Sequence, residues 1–183
     1  MATAAADVVG SKIEKIFNAL DTDRDGHIDW SDFQRLIDGF TSEYQLNGND
    51  RRTMALHASY AMFWQELVRH ADADGDGRLS KDEYIAASRN AILDTSRFDA
   101  INGLTHAQFD LIDVDGDHQI SQSEFNKMST LWGISEPEMK ESFQALDTDG
   151  DGHISRSELI RASREFFLSN DPSAPGSILF GRV

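Results

Sequence analysis

The 183-residue sequence contains no cysteine, so disulfides and thiolate metal sites are excluded and the redox compartment cannot be read. Basic side chains are scarce, 17 against 32 acidic ones, and the formal charge of −15 argues against nucleic acid or an anionic membrane as main partner. No run approaches the roughly 18 consecutive apolar residues of a membrane span. The start, MATAAADVVGSKIEKI, lacks a basic segment followed by a long apolar one, and Ala2 stands where N-myristoylation needs Gly. A soluble, cytoplasmic chain with no membrane partner is the expectation. No Ser–His–Asp set, Gly-rich phosphate loop or zinc signature occurs, so no enzyme is expected. The length suits one compact domain or two small lobes and is enough to bury a sizeable core.

What the chain has in abundance is a repeat. The pattern D-x-D-x-D recurs at Asp21-Asp23-Asp25, Asp72-Asp74-Asp76, Asp113-Asp115-Asp117 and Asp147-Asp149-Asp151. Counted from the first Asp, an aliphatic residue follows at position 8 each time: Ile28, Leu79, Ile120 and Ile154. An acid closes each twelve-residue unit at position 12: Asp32, Glu83, Glu124 and Glu158.

The flanks follow helical periodicity. Ile13, Ile16, Phe17 and Leu20 precede the first loop at i, i+3, i+4, i+7 spacing, and Phe33, Leu36, Ile37 and Phe40 follow it. The second loop lies between Tyr60, Phe63, Trp64, Leu67, Val68 and Tyr84, Ile85, Ile92. The third is framed by Phe109, Ile112 and by Phe125, Met128, Leu131, Trp132. Around the fourth stand Met139, Phe143, Leu146 and then Leu159, Ile160, Phe166, Phe167. In the long first interval, TSEYQLNGNDRR reads as a linker plus a longer incoming helix, and residues 94–105 read as a boundary between two pairs of units. The Ser88-Arg89 and Ser163-Arg164 pairs read as solvated helix faces, and Pro172 to Gly176 as non-helical.

This spacing suits a hard cation. Ca²⁺ takes six to eight oxygens at about 2.3–2.6 Å. Carboxylates at positions 1, 3 and 5 supply three of them. The position-7 carbonyl (His27, Arg78, Gln119, His153) adds a fourth, and position 9 (Asp29, Ser80, Ser121, Ser155) acts largely through water. A bidentate acid at position 12 closes the shell, and position 6 turns with positive φ, where Gly is favoured. Loops two and four, DADGDGRLSKDE and DTDGDGHISRSE, meet every requirement. Loop three has His118 at the turn; imidazole suits zinc or copper, so His118 reads as a strained turn residue that weakens the site and not as a ligand. Loop one ends in Asp32, one methylene short, which favours six-fold Mg²⁺ relative to the other loops. The four loops hold 18 acids and four bases, a net of −14, so the chain's acidity is concentrated in them.

The loops are identified as EF-hand motifs, and the resemblance covers roughly residues 9–168. The layout, the Asp-ended first loop and the apolar tail resemble the sarcoplasmic calcium-binding proteins and their bacterial calerythrin-like relatives. That resemblance implies an all-α fold of four helix–loop–helix units in two pairs, packed face to face into one compact globule, with short β-bridges between paired loops. The pairs are placed at 1–98 and 99–170, and the tail at 171–183 is expected to dock through Ile178, Leu179 and Phe180. The resemblance implies a calcium buffer; the loop residues are expected to hold up to four Ca²⁺ in a monomer, with Mg²⁺ competing best at the first loop. Eleven Phe and three Trp against five Met point to a fixed aromatic core and not a Met-rich groove. Two alternatives stand beside it. One is a sensor that opens a groove to a target protein. The other is a small-molecule carrier of the luciferin-binding or photoprotein type, with His57, His70, His106, Trp64, Trp132, Tyr60 and Tyr84 around a cavity.

Overall fold

Helix α1, Val8–Leu20, starts where the Asp7 carboxylate accepts from the Gly10 amide at 2.9 Å. Its apolar positions Ile13, Ile16, Phe17 and Leu20 are all buried. The computed structural model describes residues 7–90 and 95–182, and Ile92 lies outside them. Further on come α2 (Trp30–Glu43), α3 (Arg51–Ala71), α4 (Lys81–Asn90), α5 (Thr95–Ile112), α6 (Gln122–Leu131), α7 (Glu136–Leu146) and α8 (Arg156–Leu168). The polar stretch after α2 divides as its composition implies. A short connection leads to Asp50, which caps the 21-residue α3 by accepting from the Arg52 amide at 2.8 Å.

Successive helices flank the four loops, and paired loops are joined by two-stranded antiparallel bridges. Strand β1 (His27–Ile28) pairs with β2 (Leu79–Ser80), placing Ile28 opposite Leu79. Strand β3 (Gln119–Ser121) pairs with β4 (His153–Ser155), placing Ile120 opposite Ile154. All four position-8 side chains are fully buried. They therefore tie each loop to its partner through backbone hydrogen bonds above and apolar contact below.

The two pairs share one core. Helix α3 packs along α5, α1 meets α8, and α2 meets α6, so both pairs contribute to a continuous apolar cluster running from Val9 to Leu179. Aromatic rings fill it. Phe33 touches Tyr60, Phe63 and Trp64 at centroid distances of 5.6, 6.1 and 5.5 Å. Tyr44, stacked on Phe40, donates from its hydroxyl to the Glu124 carbonyl at 3.2 Å, so the end of α2 is tied to the start of α6.

Three local readings change. Residues 95–105 are helical, the first turns of α5 leading into the third loop; Ala100, Thr105 and Ala107 are buried there, small side chains that let α5 lie close to its neighbours. The division at 98/99 thus falls in the first turn of that helix. Ser163 is buried and takes a hydrogen bond from Thr105 at 3.2 Å, so its face of α8 is packed and not solvated. Pro175–Ile178 form a 3-10 helix with Pro175 at its first turn, where the fixed φ fits and the missing N–H costs nothing.

That short helix lies on α7 and α8. A Cβ on Gly176 would sit 2.2 Å from the Ala162 carbonyl oxygen, so only glycine permits this approach. Ser142 donates to the Ile178 carbonyl at 2.6 Å, Leu179 is buried, and the Phe180 ring stands 4.9 Å from both Trp132 and Phe166. Arg182 closes the segment with two bonds to Glu141 at 2.8 and 3.0 Å.

Candidate metal centres

Each loop is wound around its own carboxylates. The position-1 acid accepts from amides further along the loop: Asp21 from Asp25 and Gly26, Asp72 from Gly75 and Gly77, Asp113 from Gly116 and His118, Asp147 from Gly150, Asp151 and Gly152, all at 2.7–3.1 Å. Position 3 accepts from the position-5 amide in every loop, as with Asp23, Asp74, Asp115 and Asp149. Position 5 accepts from position 7: Asp25 from His27, Asp76 from Arg78, Asp117 from Gln119, Asp151 from His153. Such Asx turns fold the chain tightly and leave the carboxylates converging on one side.

The winding requires left-handed backbone at two positions. At position 6 φ is +87° for Gly26, +79° for Gly77, +67° for His118 and +87° for Gly152. The same holds at position 4, where Gly75, Gly116 and Gly150 occupy three loops but Arg24 (φ +61°) the first. His118 stands out in the sequence as a departure from glycine; Arg24 does so only against the glycine that recurs at position 4 of the other loops. Replacing either residue by Gly is expected to raise the melting temperature by about 2–4 °C, from roughly 1 kcal/mol of strain relieved. Thermal melts of Arg24→Gly and His118→Gly test this, and unchanged melting would show that these turns are unstrained.

Positions 9 and 12 form the capping box of the exiting helix. Ser121 and Glu124 start α6, Ser155 and Glu158 start α8, and Asp29 and Asp32 start α2. Ser80 and Glu83 make the same exchange before α4. The closing acid also reaches back to position 2. Glu83, Glu124 and Glu158 accept from the amides of Ala73, Val114 and Thr148 at 3.0, 2.8 and 2.8 Å. Asp32 holds the same two anchors, the Thr22 amide at 3.0 Å and the Asp29 amide at 2.9 Å. The missing methylene has therefore not left Asp32 short, and the start of α2 sits close enough for it to span the loop. Thr22 and Thr148 add their hydroxyls to this clasp at 2.7 Å, a role the sequence reading missed although DTD opens both loops.

Hydrogen bonding sets the charge state of the closing glutamates. Burial pushes Glu158 upward, but bonds from Thr148 and Ser155 outweigh it and hold the carboxyl at about 2. Burial likewise opposes the Ser121 and Val114 bonds at Glu124, and the net is again downward. Glu83 is lowered chiefly by the Ser80 hydroxyl, and Asp29 by Ser31. These acids are anionic at neutral pH and ready for a cation.

The convergence can be tested against the size of Ca²⁺. Oxygens on opposite sides of an ion at about 2.4 Å are about 4.8 Å apart. Four groups offer oxygens all within 4.8 Å of one another: Asp21, Asp23 and Asp25; Asp72, Asp74 and Asp76; Asp113, Asp115 and Glu124; Asp147, Asp149 and Glu158. None of these spreads is wider than one such ion spans. Asp32 and Glu83 stand outside the two N-terminal groups, and Asp117 and Asp151 outside the two C-terminal ones. The remaining position-7 and position-9 residues lie at the bridges: His27, Gln119 and His153 within strands, Arg78 just before one.

Of the aromatic and histidine residues considered for a ligand cavity, Tyr60 and Trp132 line one, with Phe63, Gln108 and Phe180 among its walls. His57, His70, His106, Trp64 and Tyr84 do not line it. Its volume is about 40 Å³, room for a few waters, and the buried Trp132 Nε1 has no partner.

The family "EF-hand domain pair" matches residues 11–89, and "EF hand" matches 106–129 and 139–163. Calerythrin from Saccharopolyspora erythraea is 26% identical over 162 residues, covering 87% of this chain and 92% of its own. The sarcoplasmic calcium-binding protein of Perinereis vancaurica tetradentata is 28% identical over 176 residues, covering 96% and 98%. A solved Streptomyces coelicolor calcium-binding protein, described in terms of prokaryotic calcium-mediated regulation, superposes with a TM-score of 0.77 at 29% identity, covering 87% and 97%. The Perinereis and Streptomyces relatives are calcium-binding proteins. Among the described residues no helix is long and apolar enough to cross a membrane. Four acidic loops of the right size, bridged in pairs and matched by both family descriptions, make this chain a calcium-binding member of the EF-hand family.

Proposed function

We propose that the chain is a monomeric cytoplasmic calcium buffer with four sites, one per loop. In each, positions 1, 3, 5 and 12 supply carboxylates, the position-7 carbonyl adds an oxygen, and position 9 acts through water. The observation that supports buffering over signalling is the tail. Phe180 lies between Trp132 and Phe166, and the 3-10 helix covers α7 and α8, so apolar surface that a sensor would present to a target is already occupied. Deleting residues 173–183 is expected to turn a chain that binds no hydrophobic dye in calcium into one that does. Dye binding by the full chain in calcium at the level of the deletion would sink the buffer reading.

A regulatory role is the second reading, favoured by the likeness to the Streptomyces coelicolor protein. It requires calcium to release the tail, which the same dye experiment reads directly. Carriage of a small molecule gains no support from the cavity around Tyr60 and Trp132, whose 40 Å³ is far below the roughly 300–1,000 Å³ of sites that enclose such ligands.

Magnesium competes best at the first loop in this reading. Asp32 has the reach to close the loop but offers less room for two-oxygen contact than a Glu, which suits a six-fold ion. Asp32→Glu is expected to raise the Ca²⁺/Mg²⁺ affinity ratio of that site about tenfold. Competition titrations giving the same ratio before and after would remove the argument.

A further inference from the structure

The first loop differs from the other three in a way its ligand residues do not reveal. The guanidinium of Arg35, on α2 three residues past the closing acid, bridges two of the loop's carboxylates. Its Nη1 donates to Asp32 Oδ1 at 2.8 Å and to Thr22 Oγ1 at 2.9 Å, and its Nη2 to Asp23 Oδ2 at 2.8 Å. A second guanidinium arrives from the partner loop, where Arg78 Nη2 donates to Asp25 Oδ2 at 2.7 Å. Three of the four carboxylates at positions 1, 3, 5 and 12 are thus ion-paired with arginine. Among the described residues, no lysine or arginine stands within 4.0 Å of the corresponding carboxylates in the other loops.

The equivalent positions show that this is not a general feature of the repeat. Ala86 follows the second loop and has no charge. Lys127 follows the third and lies over the Tyr44 ring, 5.8 Å from its centroid. Arg161 follows the fourth but reaches only the Thr148 hydroxyl. Arg35 alone joins position 3 to position 12, residues that an ion in the loop would also have to join.

We propose that Arg35 is a resident competing cation that sets the affinity of the first site. The idea rests on the reading that the first loop holds a metal ion. A guanidinium fork matches two carboxylate oxygens and neutralises charge that a dication would otherwise use. Filling the loop then means displacing or sharing that fork, so the first site binds more weakly than its five acids imply and fills after the fourth. Arg78 adds to the effect from the second loop, and its charge is shared between the paired sites. Arg35 is 44% exposed, so its guanidinium can swing into water without leaving a buried charge behind.

Titration calorimetry with calcium, with first-loop filling followed at the Gly26 amide resonance, tests this. Arg35→Gln keeps a polar side chain and removes the charge; it is expected to tighten the first site on the order of tenfold. Arg35→Lys keeps the charge without the fork and is expected to fall between the two. Lys127→Gln, the same charge change at the equivalent position of the third unit, is expected to leave the first site within about twofold. The Arg35 side-chain Nε–H resonance should shift as the Gly26 signal reports filling, a change that a purely structural role would not produce. Unchanged or weaker first-site binding in Arg35→Gln, with Asp21→Ala still removing one site from the count, overturns the competitor role alone. If Asp21→Ala leaves the count unchanged, the first loop holds no metal, and both the proposal and the reading beneath it fall. Should Arg35→Gln not fold, Arg35→Lys decides: affinity equal to or below the parent's overturns the proposal.

Discussion

Millimolar calcium is expected to raise the melting temperature by about 20–30 °C, taking two sites each saturated a thousandfold over its dissociation constant. Each such site adds about 4 kcal/mol to the folded state, and a chain of this size gains roughly 2–4 °C per kcal/mol. Two sites are a conservative basis, since the second and fourth loops alone satisfy every position of the pattern. Electrostatics push the same way. The four loops hold a net charge of −14 on a chain of −15, and within each group one carboxylate oxygen from every acid lies within 4.8 Å of the others. Like charges at that spacing repel, and cations relieve the repulsion in the folded state alone. Thermal melts in chelator, in calcium, and in sodium chloride of matched ionic strength separate specific binding from screening. A rise in sodium chloride equal to that in calcium would show that the loops act only as a diffuse acidic surface.

Glu158→Gln carries the second large effect. Both oxygens of Glu158 are held, Oε1 by the Thr148 amide and hydroxyl at 2.8 and 2.7 Å, Oε2 by the Ser155 amide and hydroxyl at 2.9 and 2.8 Å. That network fixes an anionic carboxylate beside Asp147 and Asp149. Glutamine has the same shape but offers one acceptor and an NH₂ where two donors already point. Loss of one closely paired charge from a largely buried setting costs about 3–5 kcal/mol, so the fourth site is expected to weaken on the order of 100- to 4,000-fold. Calcium titration should then count one high-affinity site fewer. The third site should weaken modestly as well, because Ile120 and Ile154 join the two loops across the bridge. A full count of high-affinity sites in Glu158→Gln would show that the closing glutamate is a helix cap and nothing more.

The predictions rest on features that differ in how far the sequence discloses them. The loop carboxylates are legible because ligand chemistry needs a fixed residue type at a fixed spacing, and four copies display that spacing. The left-handed turn at His118 is legible for the same reason, as a departure from glycine. Arg24 escaped notice because position 4 has no ligand role, although its backbone is as constrained as that of position 6. Arg35 could not be singled out, since Arg161 occupies the same place in the repeat and, among the described residues, bonds the Thr148 hydroxyl and no loop carboxylate. Residues 94–105 read as a boundary between pairs and not as a helix because their composition is polar and weakly periodic. Small residues against neighbouring helices made 95–105 helical instead.

By itself the sequence determined the chemistry and the local architecture: four acidic loops between amphipathic helices, paired through aliphatic residues at position 8. These follow from local rules, the Asx turns, helical periodicity and ligand spacing, which act within some twenty residues. Tertiary structure decided how the four units are joined and what each loop meets. It merged two pairs into one core through α3 and α5, laid the tail over α7 and α8, and let α2 close on the first loop so that Asp32 reaches the anchors of a glutamate. It also brought Arg35 and Arg78 onto three of that loop's acids. The reason is physical: helix packing and the aim of long side chains depend on partners distant in sequence, and no spacing within a repeat encodes them.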